Sequence, residues 1–429
     1  MFQRPSLSLL RLLRSSQTRR TSTTNRYAHN GASSKTLKRA PAAYYRGGTS
    51  RAIMLKNEDL PPDRKDWAPI FLGAIGSPDP NGRQLDGMGG GISSLSKICV
   101  IGKCAEPGLA DVDYTFVAIG VKDAEVDYSS NCGNMTSAVG PFAIDSGLVP
   151  PPTDGNATVR IRNTNTNKII HSTFPVVDGE AQAHGDFAID GVSGTASRVQ
   201  LAFINPAGSR TSKLLPTGNA VDTIDGVKAS LVDCGNPCCF VSADELAIDG
   251  TILPDAIEKH PGLLERLDSI RRQASVLMGL SQDTASATGS VPKIAMVSKP
   301  STHQILSGET MDKEEVDLVV RAISVGQPHR AVPITVAMAI AAAAKVEGSV
   351  VNLLKEKGKS ADGKGFTLGH SSGKIVDGEE VDGWDGVLEI KGDKVSTRCS
   401  DIDGKSGIQQ LYCLRPFVVP QQFKNDYMK

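Results

Sequence analysis

Two stretches of this sequence are apolar on all sides when they are drawn as helices, and this feature limits the fold most. They run over Thr136–Ser146 and Val332–Val346. A helix that is apolar all round must be surrounded by protein, because a face left in water would expose hydrophobic side chains. Each stretch follows a turn of small or polar residues, Asn131–Asn134 before the first and Gly326–His329 before the second. We therefore predict two enclosed central helices whose N-termini point at a shared cleft.

The rest of the chain from about Ala42 is dominated by strand-like segments. Short runs rich in Val, Ile and Thr alternate with turns of Gly, Asp, Asn and Pro, which is the pattern of many short β-strands. Clear examples are Ala157–Ile161, Ala229–Val232 and Val387–Ile390. Two additional helices are expected at about Leu263–Leu280 and Lys313–Ser324. The predicted class is thus α+β, with much sheet and few helices.

The length of 429 residues is sufficient for two domains. A turn sequence at Asp222–Gly226 offers a boundary between them. We expect a basic N-terminal segment at residues 1–40, an N-terminal half at residues 41–224 and a C-terminal half at residues 225–429, with each half folded around one apolar helix. The alternative is a separate helical bundle domain, and the density of strands argues against it.

The N-terminal segment differs from the rest of the chain in charge. No Asp or Glu occurs before Glu58, whereas nine Lys and Arg residues fall between Arg4 and Arg39. Drawn as a helix, residues 4–14 place most of their leucines opposite their arginines. This acid-free, Arg- and Ser-rich pattern is typical of a mitochondrial transit peptide, so we expect a mitochondrial protein. The alternative is a disordered basic tail on a cytoplasmic enzyme.

Several classes of function are disfavoured by composition and motifs. Lys plus Arg and Asp plus Glu both number 47, so no basic excess would attract nucleic acid. The longest apolar run, Val336–Ala344, is far shorter than the roughly 20 residues that cross a membrane. The cysteines and histidines lack zinc-site spacing, and neither GxxxxGK[ST] nor GxGxxG after a strand occurs. We therefore expect no metal, no nucleotide cofactor, no nucleic acid and no membrane partner.

The first candidate for catalysis is Cys132, which precedes the first apolar helix. Amides that open a helix carry partial positive charge, so they stabilise a thiolate and any carboxylate brought near it. A cysteine with a lowered pKa suits proton transfer at carbon. Its neighbours, which are predicted to bind substrate, are Asn131, Gly133, Asn134 and Met135. The alternative is an inert buried thiol, as most lone cysteines are.

The second candidate is Lys97, which opens an apolar strand after a glycine run. The glycines at 89–91 let the backbone approach a ligand closely, and the hydroxyls of Ser94 and Ser96 can donate hydrogen bonds to carboxylates. A lysine held against an apolar strand is partly desolvated, which favours its neutral, basic form. The alternative is a strand-edge lysine that reaches solvent.

Other residues offer cations and hydroxyls that suit an anion with several carboxylates. The predicted binding residues are Arg46, Thr49 and Ser50 near the first strand, Ser290 and Lys293 in the second half, and Gln327 and His329 before the second apolar helix. The first two of these segments also fit an ordinary turn with a surface cation. The expected partner is a small polycarboxylate, and the oligomeric state is left open between a monomer and a homodimer.

Seven fragments, in one order over about Ala42 to Val419, resemble the PrpF family of 2-methylaconitate and methylitaconate isomerases. They are Arg46–Ser50, Gly76–Pro80 with Asp86–Gly90, Ser93–Lys97, Asn131–Met135, Asp233–Pro237, Pro292–Val297 and Gly326–His329. The resemblance implies a fold similar to that of diaminopimelate epimerase, with two pseudo-symmetric halves that each wrap a sheet around a central helix and face each other across the active site. It also implies that no cofactor is needed.

The same resemblance implies how the catalytic roles are divided. Epimerases of that fold use two cysteines, one at each central helix. Cys132 matches the first, whereas Gly326-Gln327 stands where the second is expected. This departure rules against a symmetric two-thiol racemase, and the family resemblance transfers the partner's role to Lys97.

The expected reaction is proton transfer on an unsaturated tricarboxylic acid such as aconitate or 2-methylaconitate. Neutral Lys97 removes a proton next to the conjugated double bond, and Cys132 or a hydroxyl returns one, while helix-end amides and Arg46 stabilise the anion. Two alternatives are a tautomerase or epimerase of another diacid, of the oxalomesaconate type, and a non-catalytic tricarboxylate-binding accessory protein of an aconitase-like enzyme.

Overall fold

The computed structural model describes residues 40–356 and 366–377, together with the backbone of three strands at 387–391, 394–398 and 408–414. The predicted targeting segment lies outside these described residues, apart from Ala40. Six α-helices occur in the described part of the chain. They are α1 (Trp67–Ile75), α2 (Gly133–Asp145), α3 (Pro254–Lys259), α4 (Leu263–Leu277), α5 (Ile334–Ala344) and α6 (Val350–Leu354).

The described strands are numbered in chain order. The first nine are β1 (Ala43–Gly47), β2 (Ser50–Lys56), β3 (Lys97–Lys103), β4 (Val112–Ile119), β5 (Val126–Asp127), β6 (Gly155–Asn163), β7 (Lys168–Val177), β8 (Glu180–Ala181) and β9 (Arg198–Ile204). The next ten are β10 (Asp222–Ile224), β11 (Val227–Asp233), β12 (Pro237–Ser242), β13 (Lys293–Ser298), β14 (His303–Gln304), β15 (Thr310–Met311), β16 (Leu318–Ser324), β17 (Gln327–Pro328), β18 (Phe366–His370) and β19 (Gly373–Asp377). The last three are β20 (Val387–Lys391), β21 (Lys394–Arg398) and β22 (Ile408–Leu414).

Two mixed sheets repeat one pairing pattern. The first has the order β1-β2-β3-β4-β6-β7-β9-β22 and the second β10-β11-β12-β13-β16-β18-β19. From β1 to β7 the successive pairs are antiparallel, parallel, antiparallel, parallel and antiparallel, and the same succession runs from β11 to β19. In each series a short strand and then a long apolar helix follow the fourth strand. The predicted α+β fold of two pseudo-symmetric, strand-rich halves is confirmed.

The chain order of the two sheets is not a simple division into halves. The first sheet takes strands up to β9, and the second begins at β10, close to the predicted boundary at 224/225. Strand β22, however, lies in the second half of the sequence and pairs antiparallel with β9 in the first sheet. The domain limits given above therefore stay a prediction.

The central helices are buried, as their apolar composition requires. Every residue of α2 except Asp145 is buried, and every residue of α5 except Ala341. Helix α2 packs into a core with β1 to β9, and α5 packs into a second core with the strands around it. Helices α1 and α4 cover the opposite faces of the two sheets through separate clusters. Where α1 and α4 lie, each sheet is therefore covered on both faces, whereas the outer faces of β6 and β7 are half-buried or exposed.

One predicted helix, Lys313–Ser324, is wrong. Only Lys313–Glu315 is helical, as a single 3-10 turn that Asp312 caps, and the chain then becomes strand β16. All seven residues of β16 are buried, because the strand lies between β13 and β18 with both faces covered. A strand buried on both faces shows a continuous apolar run instead of alternation, and a sequence alone does not separate it from a helix. Helix α1, in contrast, was not expected from the sequence.

Within the described residues, no helix has both the length and the apolar character needed to span a membrane.

Candidate active site

Cys132 lies where helix α2 begins. It is the N-cap residue, with extended backbone angles (φ −110°, ψ 97°), and its carbonyl accepts hydrogen bonds from the amide of Thr136 at 2.9 Å and from the Thr136 hydroxyl at 3.0 Å. The residue is 8% exposed. The amides of the first turn have no acceptor within the helix, so their partial positive charge attracts an anion bound beside Cys132.

The loop that presents Cys132 is held from both halves of the molecule. The amide of Asn131 donates to Asn236 Oδ1 at 3.1 Å, and Asn236 Nδ2 donates back to the carbonyl of Asn131 at 3.0 Å. Asn163 Nδ2 donates to the side-chain oxygen of Asn131 at 3.1 Å. All three asparagines are buried. Neither Asn163 nor Asn236 was among the predicted site residues, although Asn236 lies in the fragment Asp233–Pro237 that carries part of the family resemblance.

Lys97 is the first residue of β3, and its side chain faces helix α2. The strand alternates, so Cys99 and Ile101 join the core around α2 while Ile98 and Val100 pack towards α1. Lys97 is 7% exposed, its Nζ donates to the carbonyl of Ser93, and Nζ lies 5.5 Å from the centre of the Phe116 ring. The lysine therefore does not reach solvent, and the alternative of a strand-edge surface lysine is wrong.

The surroundings of Lys97 favour its neutral form. Burial lowers the pKa of Lys97 most, and the ammonium of Lys293 lowers it further, while negative charge on Cys132 or Cys99 acts in the opposite direction. A lysine with a lowered pKa holds a free amine at a lower pH than an ordinary lysine does, so it can accept a proton from carbon. Lys97 and Cys132 are therefore close enough for the charge of one to change the protonation of the other.

Lys293 is the first residue of β13 and is also 7% exposed. Its Nζ donates to the hydroxyl of Thr335, in the first turn of α5, at 3.3 Å. Burial lowers the pKa of Lys293, and negative charge on Cys132 or Cys238 would raise it. The second half thus contributes a buried cation to the same group of side chains that contains Lys97 and Cys132.

The N-termini of the two central helices meet. Asn134 Oδ1 accepts a hydrogen bond from the amide of Ile334 at 3.3 Å, while Asn134 Nδ2 donates to the hydroxyls of Thr49 at 2.8 Å and Ser50 at 3.4 Å. Gly133 touches α5 so closely that an added Cβ would lie 3.0 Å from the side chain of Ile334. The two helix N-termini meet, as predicted, and Asn134 joins them, while the cleft between them stays a prediction.

Gln327 and His329 approach this group from the segment before α5. Gln327 Oε1 accepts a hydrogen bond from the amide of Ser93 at 2.8 Å. The Nε2 atom of His329 is enclosed, and the described residues give it no hydrogen-bond partner. Burial, with added repulsion from Lys293 and Lys97, lowers the pKa of His329 to about 3. His329 is thus a neutral ring beside two lysines, with a nitrogen free to bind a ligand.

Other predicted binding residues lie elsewhere. Arg46 is on the face of β1 opposite to α2, because Tyr45 and Gly47 face the helix, and its Nη1 donates to the carbonyl of Gly48 at 3.4 Å. Met135 is fully buried in the core around α2. Ser96 is fully buried and donates to Gln84 Oε1 at 2.7 Å.

Ser94 and Ser290 border the group. Ser94 is half-buried in the 3-10 turn before Lys97. The hydroxyl of Ser290 donates to the carboxylate of Asp127 and lies 2.9 Å from the hydroxyl of Ser129, so this serine joins the two halves. The binding roles of these serines, and those of Arg46, Met135 and Ser96, stay predictions.

The second central helix begins without a thiol. Cys132 caps α2 five residues after β5 ends, and Pro333 caps α5 five residues after β17 ends, so Pro333 is the structural counterpart of Cys132. The expectation that Gly326-Gln327 occupies this place is therefore wrong in position. The site remains asymmetric, with one cysteine at one of two equivalent helix ends. Among the described residues, no three His, Cys, Asp or Glu side chains are arranged to hold a metal ion.

The sequence and the fold are similar to those of known proteins. A family model described as "PrpF protein" matches residues 37–400. A 2-methyl-aconitate isomerase of Shewanella oneidensis is 38% identical over 357 residues, which cover 79% of this chain and 89% of that protein. A 3-methylitaconate isomerase of Eubacterium barkeri is 38% identical over 346 residues, with the same two coverages of 79% and 89%. The crystal structure of a methylitaconate Δ-isomerase covers 89% of this chain and 95% of its own, with a TM-score of 0.64 and 34% identity.

Proposed function

Because the chain belongs to the PrpF family and is an isomerase with the diaminopimelate epimerase-like fold, we propose that it moves a proton on an unsaturated tricarboxylic acid of the aconitate or 2-methylaconitate type, without a cofactor. The observation that supports this most is the pair formed by Lys97 and Cys132. A buried lysine whose pKa is lowered and a thiol at a helix N-terminus come from different elements and influence each other's charge. Such a pair can take a proton from carbon and return one.

The reaction begins at Lys97. Its free amine takes the proton from a carbon next to the double bond, and the electron pair of the broken C–H bond spreads over the conjugated acid. Lys97 then carries the positive charge and the substrate the negative charge. The thiol of Cys132 gives its proton to the anion and becomes a thiolate, which the first-turn amides of α2 stabilise. A proton passed back from Lys97 to Cys132, directly or through water, restores the starting state.

One intermediate accounts for both expected outcomes, a shift of the double bond and a change between cis and trans. If the proton returns to a different carbon, the double bond has shifted along the chain of the acid. If it returns to the original carbon after rotation about the bond that became single, the acid has changed between cis and trans. The backbone amides at the N-termini of α2 and α5 are hydrogen-bond donors whose positions are set by the fold. They stabilise the negative charge that develops on the substrate.

The test is a proton NMR assay in heavy water with cis-aconitate, trans-aconitate and 2-methylaconitate. We expect deuterium to enter the carbon skeleton and an isomer to appear. The matched control is Lys168→Ala, which removes a half-buried lysine whose Nζ donates to the carbonyl of Ala207 at 2.8 Å, and it should exchange like the parent protein.

Three results would contradict the proposal. Tight binding without exchange would indicate an accessory protein. Exchange confined to a keto diacid such as oxalomesaconate would indicate a tautomerase. Full activity in both Lys97→Ala and Cys132→Ala would remove these two residues from the mechanism.

We also propose that residues 1–40 direct the protein to mitochondria. The family match begins at residue 37, so most of the acid-free segment precedes the part shared with the family. A fusion of residues 1–40 to a fluorescent protein should colocalise with mitochondria. The same fusion with Arg4, Arg11 and Arg14 changed to Glu should not. Cytoplasmic fluorescence of the unchanged fusion would favour the alternative of a basic tail.

A further inference from the structure

Lys293 is the structural counterpart of Lys97. Each is the first residue of its strand, and that strand is parallel to the preceding strand of its sheet and antiparallel to the next. Each also faces the central helix of its own half, because Ala295 and Val297 on the same face of β13 join the core around α5. The repeated fold thus delivers one buried lysine from each half to one site.

The two halves do not deliver two thiols. Cys132 caps α2, but Pro333 occupies the equivalent position at α5. The two amines therefore share one helix-capping thiol, that of Cys132, and α5 begins without a second one. Two buried ammonium groups near each other disfavour their charged forms, and the one that is less well compensated loses its proton first.

We propose that Lys293 is the cation that binds a carboxylate of the substrate, and that its positive charge helps to keep Lys97 in the neutral form needed for catalysis. This inference rests on the proposed function, because it assigns the second lysine a role in the same proton transfer. It adds that Lys97 and Lys293, which occupy equivalent positions in the two halves, have different roles: Lys97 transfers the proton and Lys293 binds the carboxylate.

The surroundings of the two amines support this assignment. Lys293 Nζ donates to the hydroxyl of Thr335 at 3.3 Å, in the first turn of α5, so a carboxylate bound to this ammonium would also meet the partial positive charge at the helix N-terminus. The pKa of Lys97 is lowered by the charge of Lys293 as well as by burial. The other titratable groups that bear on Lys97 are Cys132, Cys99 and His329, and Tyr114 adjoins Cys99 at 3.8 Å.

The enclosed Nε2 atom of His329 fits the same arrangement. His329 is neutral beside two lysines, so it can donate a hydrogen bond from Nε2 to a carboxylate without adding a third positive charge. A carboxylate placed between Lys293 and His329 would satisfy both the cation and the free ring nitrogen.

The first test is the pH dependence of kcat/KM, which reports ionisations of the free enzyme. Lys97 is active when neutral, so activity rises with pH through its pKa. Removing the positive charge in Lys293→Gln raises that pKa, and the rising limb should move to higher pH by about one unit or more. Lys293→Arg keeps the charge and should leave the limb in place, as should the control Lys168→Gln. A limb that does not move in Lys293→Gln overturns the proposal.

The second test does not depend on the substrate. Cyanate carbamylates only neutral amines, so the pH at which Lys97 becomes labelled, read by peptide mass spectrometry, reports its protonation directly. The midpoint should rise in Lys293→Gln and stay unchanged in Lys293→Arg. If Lys293→Gln does not fold, Lys293→Met retains the aliphatic stem and takes its place.

The two tests separate the inference from the proposed function. A shifted labelling midpoint together with no turnover of any tricarboxylate would support the charge relation between the lysines and contradict the proposed substrate. Normal turnover with an unshifted midpoint would support the proposed function and contradict the role of Lys293.

Discussion

Lys97 is a residue type that normally carries a positive charge, but its burial lowers its pKa and favours the neutral amine. It is enclosed by the carbonyl of Ser93 and the ring of Phe116, and no carboxylate contacts its Nζ among the described residues. The sequence indicated both that a lysine opens this strand and that the strand is apolar. It could not indicate Lys293 as a neighbour, because 196 positions separate the two residues and only the repeated fold brings them together.

Replacing Lys97 with Ala should lower kcat by roughly 10²–10⁴-fold, the range that a positioned general base contributes. Folding should be intact, because a buried amine whose charge is disfavoured contributes little stability. Lys97→Arg should be as inactive as Lys97→Ala, since a guanidinium does not become neutral in proteins. Cys132→Ala should have a comparable or smaller effect. Steady-state kinetics and thermal unfolding measure these changes, and appreciable activity in Lys97→Arg would contradict the role of a neutral base.

His329 should make stability depend on pH. Its pKa is about 3 in the folded protein, below the ordinary value of 6.5, so the unfolded chain binds a proton between these values and the folded protein does not. Stability therefore falls as pH drops from 6.5 towards 3, by roughly 1 kcal/mol per pH unit in that window.

Urea unfolding at several pH values should show a smaller decline for His329→Gln than for the parent. His184→Gln, at an exposed site, should decline like the parent. Equal slopes in all three would contradict the assignment.

At the scale of elements, the central helices were the most predictable feature and β16 the least. Helices α2 and α5 are apolar all round, and such a pattern has one physical solution, which is enclosure. The segment Leu318–Ser324 is apolar too, but a neighbour on each side and cover on both faces make it a strand. Those neighbours come from β13 and β18, so local sequence does not contain the information that decides between strand and helix.

The contact between the N-termini of α2 and α5 predicts the effect of Gly133→Ala. The added methyl group would lie 3.0 Å from Ile334 and 3.1 Å from Thr335 Cγ2, so α5 must shift away from α2. We expect a loss of about 1–3 kcal/mol in the free energy of unfolding, typical of overpacking, together with a larger relative loss of kcat/KM.

The control is Gly73→Ala in the exposed interior of α1, where nothing lies within 4 Å of the added carbon. It should be neutral or stabilising by up to about 1 kcal/mol. Similar losses in both variants would contradict the steric account.

At the scale of the whole molecule, the site is assembled by polar contacts between halves. Asn236 holds the backbone of Asn131, Asn134 holds the amide of Ile334, and Gln327 holds the amide of Ser93. The sequence singled out Asn131, Asn134 and Gln327 but assigned them to the substrate. The structure shows that each joins one half to the other. Local sequence offers no sign of such partners, because they are more than 80 residues apart and follow from the register of two sheets.

Asn236→Ala should test this assembly. The change leaves the buried amide and carbonyl of Asn131 without partners, and an unsatisfied buried polar group costs about 1–3 kcal/mol. Turnover should fall further than stability suggests, because Cys132 follows directly on the released loop. Asn236→Asp keeps the acceptor for the Asn131 amide but places a buried carboxylate oxygen against the Asn131 carbonyl, so it should destabilise at least as much as Asn236→Ala. Chemical unfolding and kinetics measure the two quantities, and normal turnover in Asn236→Ala would contradict a positioning role.

The position of β22 affects how the protein folds during its synthesis. Its residues, 408–414, are the last that the structure describes, yet they form the edge of the sheet that holds β1 and Lys97. Until residues 408–414 have been synthesised, β9 lacks this partner strand, and unpaired strand edges pair readily with other chains. A messenger truncated before codon 408 should therefore yield aggregating product, although both amines and the thiol would already have been translated.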